Sequence, residues 1–354
     1  MNIPVATVAR INEPWIAEEL IANGKCDMCM IGRPNLCDSE FSNKAFEGKV
    51  DDIRPCIGCG RCLTGIMFGK RISCTVNPSV EDNTITEADV KKNVLVIGGG
   101  PAGMEAAYVA KKRGHHVVLC EKSNELGGQL RIAAVPIAKQ ELCRVVKFMK
   151  RRLDNESVEV RLHTEVTKEM LENEFKGYEV ICSSGATPKE IPPFKAFKNW
   201  MSADDVLSGK KYPGRNIVVL GGGSVGCETA DYLAPLINDL FPMNRKITLL
   251  EMTDNLMPGE GGAAKSRLTL RLMQKGVKIE LNAQVTKVDE NTITYVKDNV
   301  EHTITEADTL IFAVGYAPKK IEVNGENIHY IGDCEKVGTL KDAISQGYEA
   351  AKNI

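Results

Sequence analysis

Four cysteines in the first third of the chain have the spacing of a metal or cluster site. Cys56, Cys59 and Cys62 form C-x2-C-x2-C, and Cys74 follows after eleven further residues. Three thiolates from one short segment and a fourth from a following loop can surround an iron–sulfur cluster. Zinc sites more often combine two separated pairs, and a redox C-x2-C needs no third or fourth thiol. The spacing therefore favours a cluster, with structural zinc, a redox dithiol and unreactive thiols as alternatives.

Cys26 and Cys29 form another C-x2-C, but their surroundings predict buried thiols. Residues 26–31 read as a strand, in which side chains three positions apart point to opposite faces. We give Cys37 the same interpretation. The chain holds 12 cysteines and begins without the long apolar core of a signal peptide, which argues for thiolate chemistry or buried thiols over a disulfide framework.

A glycine-rich turn lies between two apolar runs in residues 94–121. Val94 to Ile97 predicts a strand, residues 104–113 a helix, and residues 116–120 a second strand. In G-x-G-x-x-G the first glycine permits a tight turn, the second lets the backbone approach a pyrophosphate, and the third lets the helix pack on the strand. A carboxylate ends the second strand, where it can accept hydrogen bonds from a ribose. The predicted dinucleotide site consists of Gly98, Gly100, Pro101, Ala102, Gly103 and Glu121.

The same pattern recurs from Asn216 onward. Here the carboxylate follows the first glycine by 30 residues, because residues 235–245 add a detour after the helix. That carboxylate would repel a 2′-phosphate, and residues 252–259 contain no Arg or Lys to receive one, which favours NADH over NADPH. The second predicted site consists of Gly221, Gly223, Ser224, Val225, Gly226 and Glu251.

Two nucleotide units in one chain indicate electron transfer between two cofactors, unless one of the sites is vestigial. Two further segments can contribute to the first site. Gly128 and Gln129 lie in a glycine turn that can bring backbone near a ligand. Gly332 and Asp333 stand at a predicted strand-to-helix junction, where the carboxylate can accept a hydrogen bond from a ribityl hydroxyl or cap the helix.

Bulk properties exclude several classes of partner. The 354 residues carry a net charge of −2 with 26% charged residues, so there is no basic field for nucleic acid. No uncharged apolar run reaches membrane-spanning length. Aromatic residues make up only 5%, which offers no stacking platform for single strands. These features predict a cytoplasmic protein without a membrane or nucleic-acid partner.

Taken together, these motifs resemble the C-terminal half of the old yellow enzyme relatives that carry an added dinucleotide domain. This group includes the NADH:flavin oxidoreductases, 2,4-dienoyl-CoA reductase and trimethylamine dehydrogenase. The resemblance covers essentially the whole chain, with Ile31-Gly32-Arg33 similar to the last barrel strand and its phosphate loop. The cluster segment and the motifs GGGPAG, LGGQ, GGGSVG and YIGDC follow in the group's order.

The resemblance implies cofactors and their ligands. It assigns a [4Fe-4S] cluster to Cys56, Cys59, Cys62 and Cys74. It assigns FAD to the first glycine motif with Glu121, Gly128, Gln129, Gly332 and Asp333, although trimethylamine dehydrogenase shows that this site can hold ADP alone. The nicotinamide nucleotide would bind at the second motif with Glu251. Arg10, Gly32 and Arg33 resemble part of an FMN phosphate site.

One departure from the group concerns its barrel. Members begin with a complete eight-stranded barrel that binds FMN and the substrate, and residues 1–50 resemble only its last two strands. The group's proton donors lie in the missing part, so no catalytic residue can be assigned here. FMN is therefore expected only if a complete barrel is supplied.

The predicted fold is α/β, with two Rossmann-like dinucleotide-binding domains preceded by a barrel remnant and an iron–sulfur segment. The nicotinamide domain is inserted in the flavin domain. The predicted boundaries are 1–50 for the barrel units, 51–90 for the cluster segment and linker, 91–205 plus 317–354 for the FAD domain, and 206–316 for the NAD(P)H domain.

The resulting hypothesis is an NAD(P)H:flavin oxidoreductase in which electrons pass from NADH through FAD to the [4Fe-4S] cluster. In full-length relatives they would continue to FMN and an enoyl-type or amine substrate. One alternative is an electron-transfer subunit or truncated reductase that needs a separate barrel-containing or electron-carrier protein. A second alternative is a non-enzymatic nucleotide sensor with structural zinc.

Overall fold

The computed structural model describes residues 3–80, 84–235, 245–260, 262–321 and 327–354. The helices are α1 (Pro14–Ala22), α2 (Arg33–Cys37), α3 (Phe41–Phe46), α4 (Arg61–Met67), α5 (Pro101–Lys112), α6 (Gln129–Ala133), α7 (Glu141–Asn155), α8 (Lys168–Glu172), α9 (Ala203–Leu207), α10 (Ser224–Leu233), α11 (Gly262–Gln274) and α12 (Leu340–Lys352). The strands are β1 (Ala6–Thr7), β2 (Met28–Cys29), β3 (Asn93–Ile97), β4 (His116–Cys120), β5 (Glu159–Arg161), β6 (Glu179–Cys182), β7 (Ala186–Pro188), β8 (Trp200–Ser202), β9 (Asn216–Leu220), β10 (Lys246–Leu250), β11 (Lys278–Glu280), β12 (Gln284–Val288), β13 (Ile293–Lys297), β14 (Val300–Ile304), β15 (Thr309–Phe312), β16 (Tyr316–Pro318) and β17 (Ile328–Tyr330). Short 3₁₀ helices cover Val50–Asp52, Pro192–Ala196 and Gly332–Cys334.

The chain divides into two compact units. Unit 1 comprises Met1–Arg131, Glu141–Gly185 and Pro318–Ile354, and unit 2 comprises Ile132–Gln140 and Ala186–Ala317. The residues of unit 2 therefore lie within the sequence of unit 1, and segments 1–50 and 51–90 both belong to unit 1. The predicted boundary at residue 205 differs from the observed one. Strand β8 lies in unit 2 because Trp200 pairs with Leu310 of β15.

Unit 1 contains a five-stranded parallel sheet in the order β17-β6-β3-β4-β5. The central strand β3 is buried from Val94 to Ile97, as expected for a parallel strand covered on both faces. The sheet packs against apolar side chains of its helices. The largest fully buried side chains of this unit include Leu95, Met104, Leu119, Met149, Leu153 and Ile181.

The N-terminal part of unit 1 is a β1-α1-β2 segment with parallel strands, in which Ala6 pairs with Met28. Helix α1 begins at Pro14, because proline suits the first helical turn. The predicted opposite orientation of Cys26 and Cys29 is wrong. Strand β2 begins only at Met28, so Cys26 precedes it, and the two Sγ atoms lie 3.8 Å apart.

Helix α7 is amphipathic, with Val145, Val146 and Met149 buried. Its basic residues are not all exposed to solvent. Arg152 is buried, pairs with the buried Glu105, and lies 4.0 Å from the centre of the Tyr108 ring. The pair neutralises a carboxylate that would otherwise be buried as an isolated charge.

Unit 2 contains a second parallel sheet in the order β11-β10-β9-β15-β8 and an antiparallel sheet of β12, β13 and β14. Strand β7 pairs with β16. The two parallel sheets confirm the predicted α/β class. Most of the predicted detour at 235–245, and residues 81–83 of the predicted linker, lie outside the described residues. In the part of the chain that the structure describes, no helix combines the length and apolarity needed to cross a bilayer.

Candidate nucleotide and cluster sites

The first glycine motif connects β3 to α5 through two very close backbone contacts. Gly98 has φ +103°, and a Cβ atom there would lie 2.4 Å from the carbonyl oxygen of Ser183. A Cβ atom on Gly103 would lie 2.0 Å from the carbonyl oxygen of Gly98. Only glycine fits at these two positions, because real Cβ atoms do not approach backbone oxygens so closely.

Gly100 differs from its two neighbours in the motif. No atom lies within 4 Å of a Cβ built on it, so the space in front of its backbone is open. Gly100 is also the N-cap of α5, and Pro101 occupies the first turn. Because glycine has no side chain to cap the helix, the N-cap residue supplies no side-chain acceptor to the first-turn N–H groups. The arrangement fits a pyrophosphate at a helix N-terminus.

Glu121 is held in place at the end of β4. Its Oε2 accepts a hydrogen bond from the Gly99 amide at 2.6 Å, and its Oε1 accepts from the Ser123 amide at 2.8 Å and the Ser123 hydroxyl at 2.7 Å. Each carboxylate oxygen can accept about two hydrogen bonds. Oε2 therefore retains capacity for a ribose hydroxyl while the carboxylate also braces the glycine turn.

The structure brings the LGGQ turn to the first motif. The Gly127 amide donates to the Gly99 carbonyl at 2.8 Å. Gly128 has φ +52°, and a Cβ atom on it would lie 3.0 Å from Cα of Gly100. Gln129 begins α6. The predicted contribution of Gly128 to the first site is therefore consistent with its position.

Gly332 and Asp333 also lie beside the first motif. A Cβ atom on Gly332 would be 3.1 Å from Cβ of Ala102, and the Gly332 amide donates to Oε1 of Gln346 at 2.6 Å. Asp333 does not cap α12, because Thr339 and Asp342 form a capping box there. Asp333 accepts instead from the Gly338 amide at 3.0 Å. Burial raises the pKa of the Asp333 carboxyl.

The second glycine motif repeats these contacts in unit 2. Gly221 has φ +109°, and a Cβ atom on it would lie 2.5 Å from the Ala313 carbonyl oxygen. A Cβ atom on Gly226 would lie 1.9 Å from the Gly221 carbonyl oxygen. Gly223 is the N-cap of α10, and no atom lies within 4 Å of its Cβ position. The same open space therefore faces this helix N-terminus.

Glu251 reproduces the contacts of the first carboxylate. Its Oε2 accepts from the Gly222 amide at 2.6 Å, and its Oε1 accepts from the amide and hydroxyl of Thr253 at 2.8 Å each. One contact has no predicted counterpart. The Ser224 hydroxyl in the first turn of α10 donates to Oε1 of Glu260 at 2.8 Å, so a carboxylate stands at this helix N-terminus.

A cavity of about 570 Å³ opens in front of the second motif. Its volume lies in the range of small-molecule sites. The lining includes five of the six predicted residues of the second site and contains no Arg or Lys among the described residues. Its predicted lining residues are Gly221, Gly223, Ser224, Val225 and Glu251.

Sequence reasoning missed a polar pair in this cavity. The Tyr316 hydroxyl donates to Oδ1 of Asp204 at 2.5 Å, and both residues line the cavity. Burial raises the pKa of the Asp204 carboxyl, although the Tyr316 hydroxyl acts in the opposite direction. The two residues are far apart in sequence, so no local motif could have predicted their contact.

The four predicted cluster ligands line one small cavity: Cys56, Cys59, Cys62 and Cys74. Gly58 and Gly60 adopt left-handed conformations with φ +63° and +75°, which lets the chain curl between the thiols. Among the described residues, no three or more Cys, His, Asp or Glu side chains converge on a single metal-ion position.

The shared cavity leaves both an iron–sulfur cluster and a zinc ion as alternatives for the four thiols. A single zinc ion needs each of its ligand sulfurs at about 2.3 Å from the metal. In a cubane, each thiolate binds a different iron, so the sulfurs stand further apart.

Cys37 is a second residue whose role the sequence did not show. It is fully buried, as predicted, and its thiol forms a hydrogen bond with Cys74. This contact is the first cause that lowers the pKa of Cys74 to about 6, and the Val76 and Asn77 amides act in the same direction. Burial raises the pKa values of Cys56 and Cys62.

The structure places Arg10, Gly32 and Arg33 around one cavity of about 240 Å³. Arg10 also forms an ion pair with Glu141, so part of its charge is already compensated. The three residues are brought together as the resemblance implied, and their role in binding FMN stays a prediction.

Residues 92–347 match the pyridine nucleotide-disulphide oxidoreductase family, and the chain belongs to this family. It is 34% identical to cinnamate reductase of Clostridium sporogenes over 367 residues, covering 100% of this chain and 54% of that protein. It is 35% identical to NADH oxidase of Thermoanaerobacter brockii over 376 residues, covering 100% of this chain and 56% of that protein.

Among solved structures, a 2-naphthoyl-CoA reductase matches with a TM-score of 0.92 and 26% identity, over 100% of this chain and 54% of that one. The chain therefore spans about half the length of the relatives it matches. These similarities confirm the resemblance that the motifs suggested. The class is that of the NAD(P)H-dependent flavin oxidoreductases, and the family supports FAD and NAD(H) as cofactors.

Proposed function

We propose that this chain is an NADH-dependent electron-transfer module that binds FAD at the first glycine motif, NADH at the second and a [4Fe-4S] cluster at the four cysteines. When bound, FAD accepts two electrons as a hydride and can release them singly to an acceptor such as an iron–sulfur cluster. The observation that carries the proposal is the open space at Gly100 and Gly223, each at the N-terminus of a helix whose other glycines are closely packed.

The residues of unit 1 would hold FAD by its diphosphate and ribose. The amides at the start of α5 would bind the diphosphate, and Glu121 would accept from a ribose hydroxyl while it braces the glycine turn. Asp333 directly follows Gly332, and a Cβ atom on Gly332 would lie 3.1 Å from Cβ of Ala102 in the first turn of α5. We assign it the ribityl chain, because its carboxylate has one described donor and can accept more hydrogen bonds.

The residues of unit 2 would favour NADH over NADPH. A 2′-phosphate would meet the negative charge of Glu251, and no described Arg or Lys lines the cavity to compensate. Tyr316 and Asp204 would provide the polar contacts in an otherwise apolar cavity. A test of this preference is Glu251→Ala combined with Met252→Arg, which should raise the affinity for NADPH relative to NADH.

The cluster assignment rests on the four thiols around one cavity. We infer that the left-handed glycines between them shape the binding loop and that Cys37 positions Cys74. Cys74→Ser should reduce iron and acid-labile sulfide in the reconstituted protein, whereas Cys143→Ser, at an exposed cysteine on α7, should leave both unchanged. Zinc in place of iron and sulfide would contradict the cluster assignment and favour the structural zinc alternative.

The decisive experiment uses Gly100→Ala and Gly223→Ala. Because no atom lies within 4 Å of either added methyl group, both variants should fold with unchanged melting temperatures. Gly100→Ala should purify with little flavin, and Gly223→Ala should keep flavin but lose at least about tenfold in NADH affinity, which corresponds to about 1.4 kcal/mol. NADH-dependent bleaching of bound flavin should be observed in the unsubstituted protein. Unchanged flavin content and NADH binding in the two variants would contradict the proposal.

The final acceptor belongs to the part of the relatives that this chain does not match. Two relatives are named for the reduction of cinnamate and of 2-naphthoyl-CoA. We propose that electrons leave this module for FMN on a barrel, and from there for an unsaturated acceptor of that kind, in the same polypeptide or in a partner protein. Adding a purified barrel with FMN should then make NADH oxidation depend on the acceptor. Cytoplasmic location stays a prediction.

A further inference from the structure

Cys26 and Cys29 have side chains in contact at the edge of unit 1. Their Sγ atoms lie 3.8 Å apart. Cys26 is buried, and Cys29 is partly exposed. A C-x2-C pair whose sulfurs already touch can close to a disulfide with small side-chain rotations, because no long segment has to be brought together.

The contact results from how the β1-α1-β2 segment is folded. Helix α1 ends near Gly24, which has φ +64°, and the chain turns back through Cys26 before β2 begins at Met28. The Met30 amide donates to the Thr7 carbonyl at 2.8 Å, which keeps the strand beside β1. Cys29 also lies 3.8 Å from the Ala17 carbonyl oxygen on α1. The pair is therefore held between the helix and the strand.

We propose that Cys26 and Cys29 form a reversible dithiol–disulfide pair that is oxidised by a small-molecule disulfide such as glutathione disulfide. The thiolate of the more exposed Cys29 attacks one sulfur of glutathione disulfide. This step releases one glutathione and leaves a mixed disulfide between Cys29 and the other glutathione. Cys26 then attacks the Cys29 sulfur and releases the second glutathione. Two protein thiols are oxidised, one glutathione disulfide is reduced to two glutathione molecules, and protons are conserved in the overall exchange.

A metal site is a poorer explanation of the same contact. A zinc ion in a structural site needs four ligands. Among the described residues, no group of three or more Cys, His, Asp or Glu side chains is arranged to bind a metal ion. Two thiols alone therefore suit redox chemistry better than metal binding.

The rate and the effect of oxidation follow from the surroundings. Partial burial, and then the Cys26 thiol, raise the pKa of Cys29, which lowers the fraction of Cys29 present as thiolate, so the exchange should be slow. Oxidation would tie the turn before β2 to the strand itself. Gly32 and Arg33 follow three and four residues after Cys29, so the disulfide would restrain the strand that leads into the cavity they line.

The test is peptide mapping of the full chain after equilibration in glutathione buffers and acid quenching. Lys25 and Lys44 bound a tryptic peptide that contains Cys26, Cys29 and Cys37, and Pro34 protects the bond after Arg33. After alkylation, the reduced peptide should carry an alkyl group on all three cysteines. In excess glutathione disulfide only Cys37 should be alkylated. The peptide should then carry one alkyl group and be two hydrogen atoms lighter than the same peptide with Cys26 and Cys29 as free thiols.

Variants make the assignment specific. Cys37→Ser should still form the internal disulfide, whereas Cys26→Ser should stop at a glutathione adduct on Cys29. A urea-unfolded sample provides the comparison, because pairs that include Cys37 should appear only there. Full alkylation of Cys26 and Cys29 at every glutathione ratio would overturn the proposal. So would a folded-state disulfide that includes Cys37.

Discussion

The two glycine motifs lie in different units, yet they are built with nearly the same geometry. The third glycine of each would place a Cβ atom 2.0 Å or 1.9 Å from the carbonyl oxygen of the first. Glu121 accepts a hydrogen bond from the Gly99 amide at 2.6 Å, and Glu251 accepts one from the Gly222 amide at 2.6 Å. Each also binds a hydroxyl residue two positions later, Ser123 or Thr253. A short local sequence therefore determines this turn regardless of the surrounding unit.

The motifs differ in what packs around them. In unit 1, α12 packs directly against α5. The approach is so close that a Cβ atom on Gly347 would be 2.3 Å from the Ala102 carbonyl oxygen. In unit 2, the edge strand of the parallel sheet beside β15 is β8, which precedes the motif in sequence. Ser224 and Glu260 meet at the helix N-terminus there, whereas Pro101 occupies the equivalent first turn in unit 1. We therefore expect the difference in nucleotide specificity between the two motifs to depend on the residues that pack around them.

The largest effect is expected from the glycines that pack on backbone. Gly103→Ala and Gly226→Ala each place a methyl group against a carbonyl oxygen, so each should lower the free energy of unfolding by about 1–3 kcal/mol. Gly103→Ala should lose flavin and Gly226→Ala should lose NADH binding, as measured by flavin absorbance and by titration. Gly262→Ala is the matched control, because no atom lies within 4 Å of its Cβ position. Equal losses of both ligands in both variants would show that the two motifs are not independent.

The next effect distinguishes the two carboxylates by their exposure. Glu121 is 8% exposed, whereas Glu251 is only partly buried. Glu121→Ala leaves the buried Gly99 amide without its acceptor and should destabilise the protein by about 1–2 kcal/mol. Glu251→Ala should cost less, because water can replace the carboxylate. Urea unfolding of both variants measures the difference, and a larger loss for Glu251→Ala would contradict this account.

A smaller effect is expected at Glu260, which has no described counterpart in unit 1. Its carboxylate stands at the N-terminus of α10, where a pyrophosphate would bind. Glu260→Gln should strengthen NADH binding by a factor equivalent to about 0.3–1 kcal/mol, because a competing negative charge is removed. Fluorescence titration with NADH at low salt tests this, with Glu301→Gln on the exposed strand β14 as control. Weaker NADH binding in Glu260→Gln would mean that the carboxylate assists the nucleotide.

The smallest effect concerns two partly buried carboxyls, Asp333 in unit 1 and Asp204 in unit 2. Burial raises the pKa of both above the ordinary value of 3.8. A raised pKa in the folded state contributes stability below the unfolded value, and this contribution is lost as pH rises through the folded value. Asp333→Asn and Asp204→Asn should therefore gain stability relative to the unsubstituted protein as the pH rises from 3.8. Denaturant unfolding across that range measures the gain, and a pH-independent difference would contradict the predicted shift.

Much of the fold was predictable because its signals are local. Strand β4 agrees with the predicted limits of 116–120, since apolar runs act over a few positions. The contacts around Cys26 were mispredicted because a strand of two residues is too short to impose alternation. The contact of Arg152 with Glu105 could not be predicted, because the two residues lie on different helices and sequence periodicity cannot show such a contact.

The sequence by itself determined the two glycine turns, their carboxylates and the set of four thiols. Each turn depends on residues within about one βαβ unit, so steric limits on glycine and proline suffice to define it. Tertiary structure decided which unit received β8, which thiol contacts Cys74, and that Cys26 touches Cys29. Those outcomes depend on packing between distant segments, where many partners compete for the same buried space.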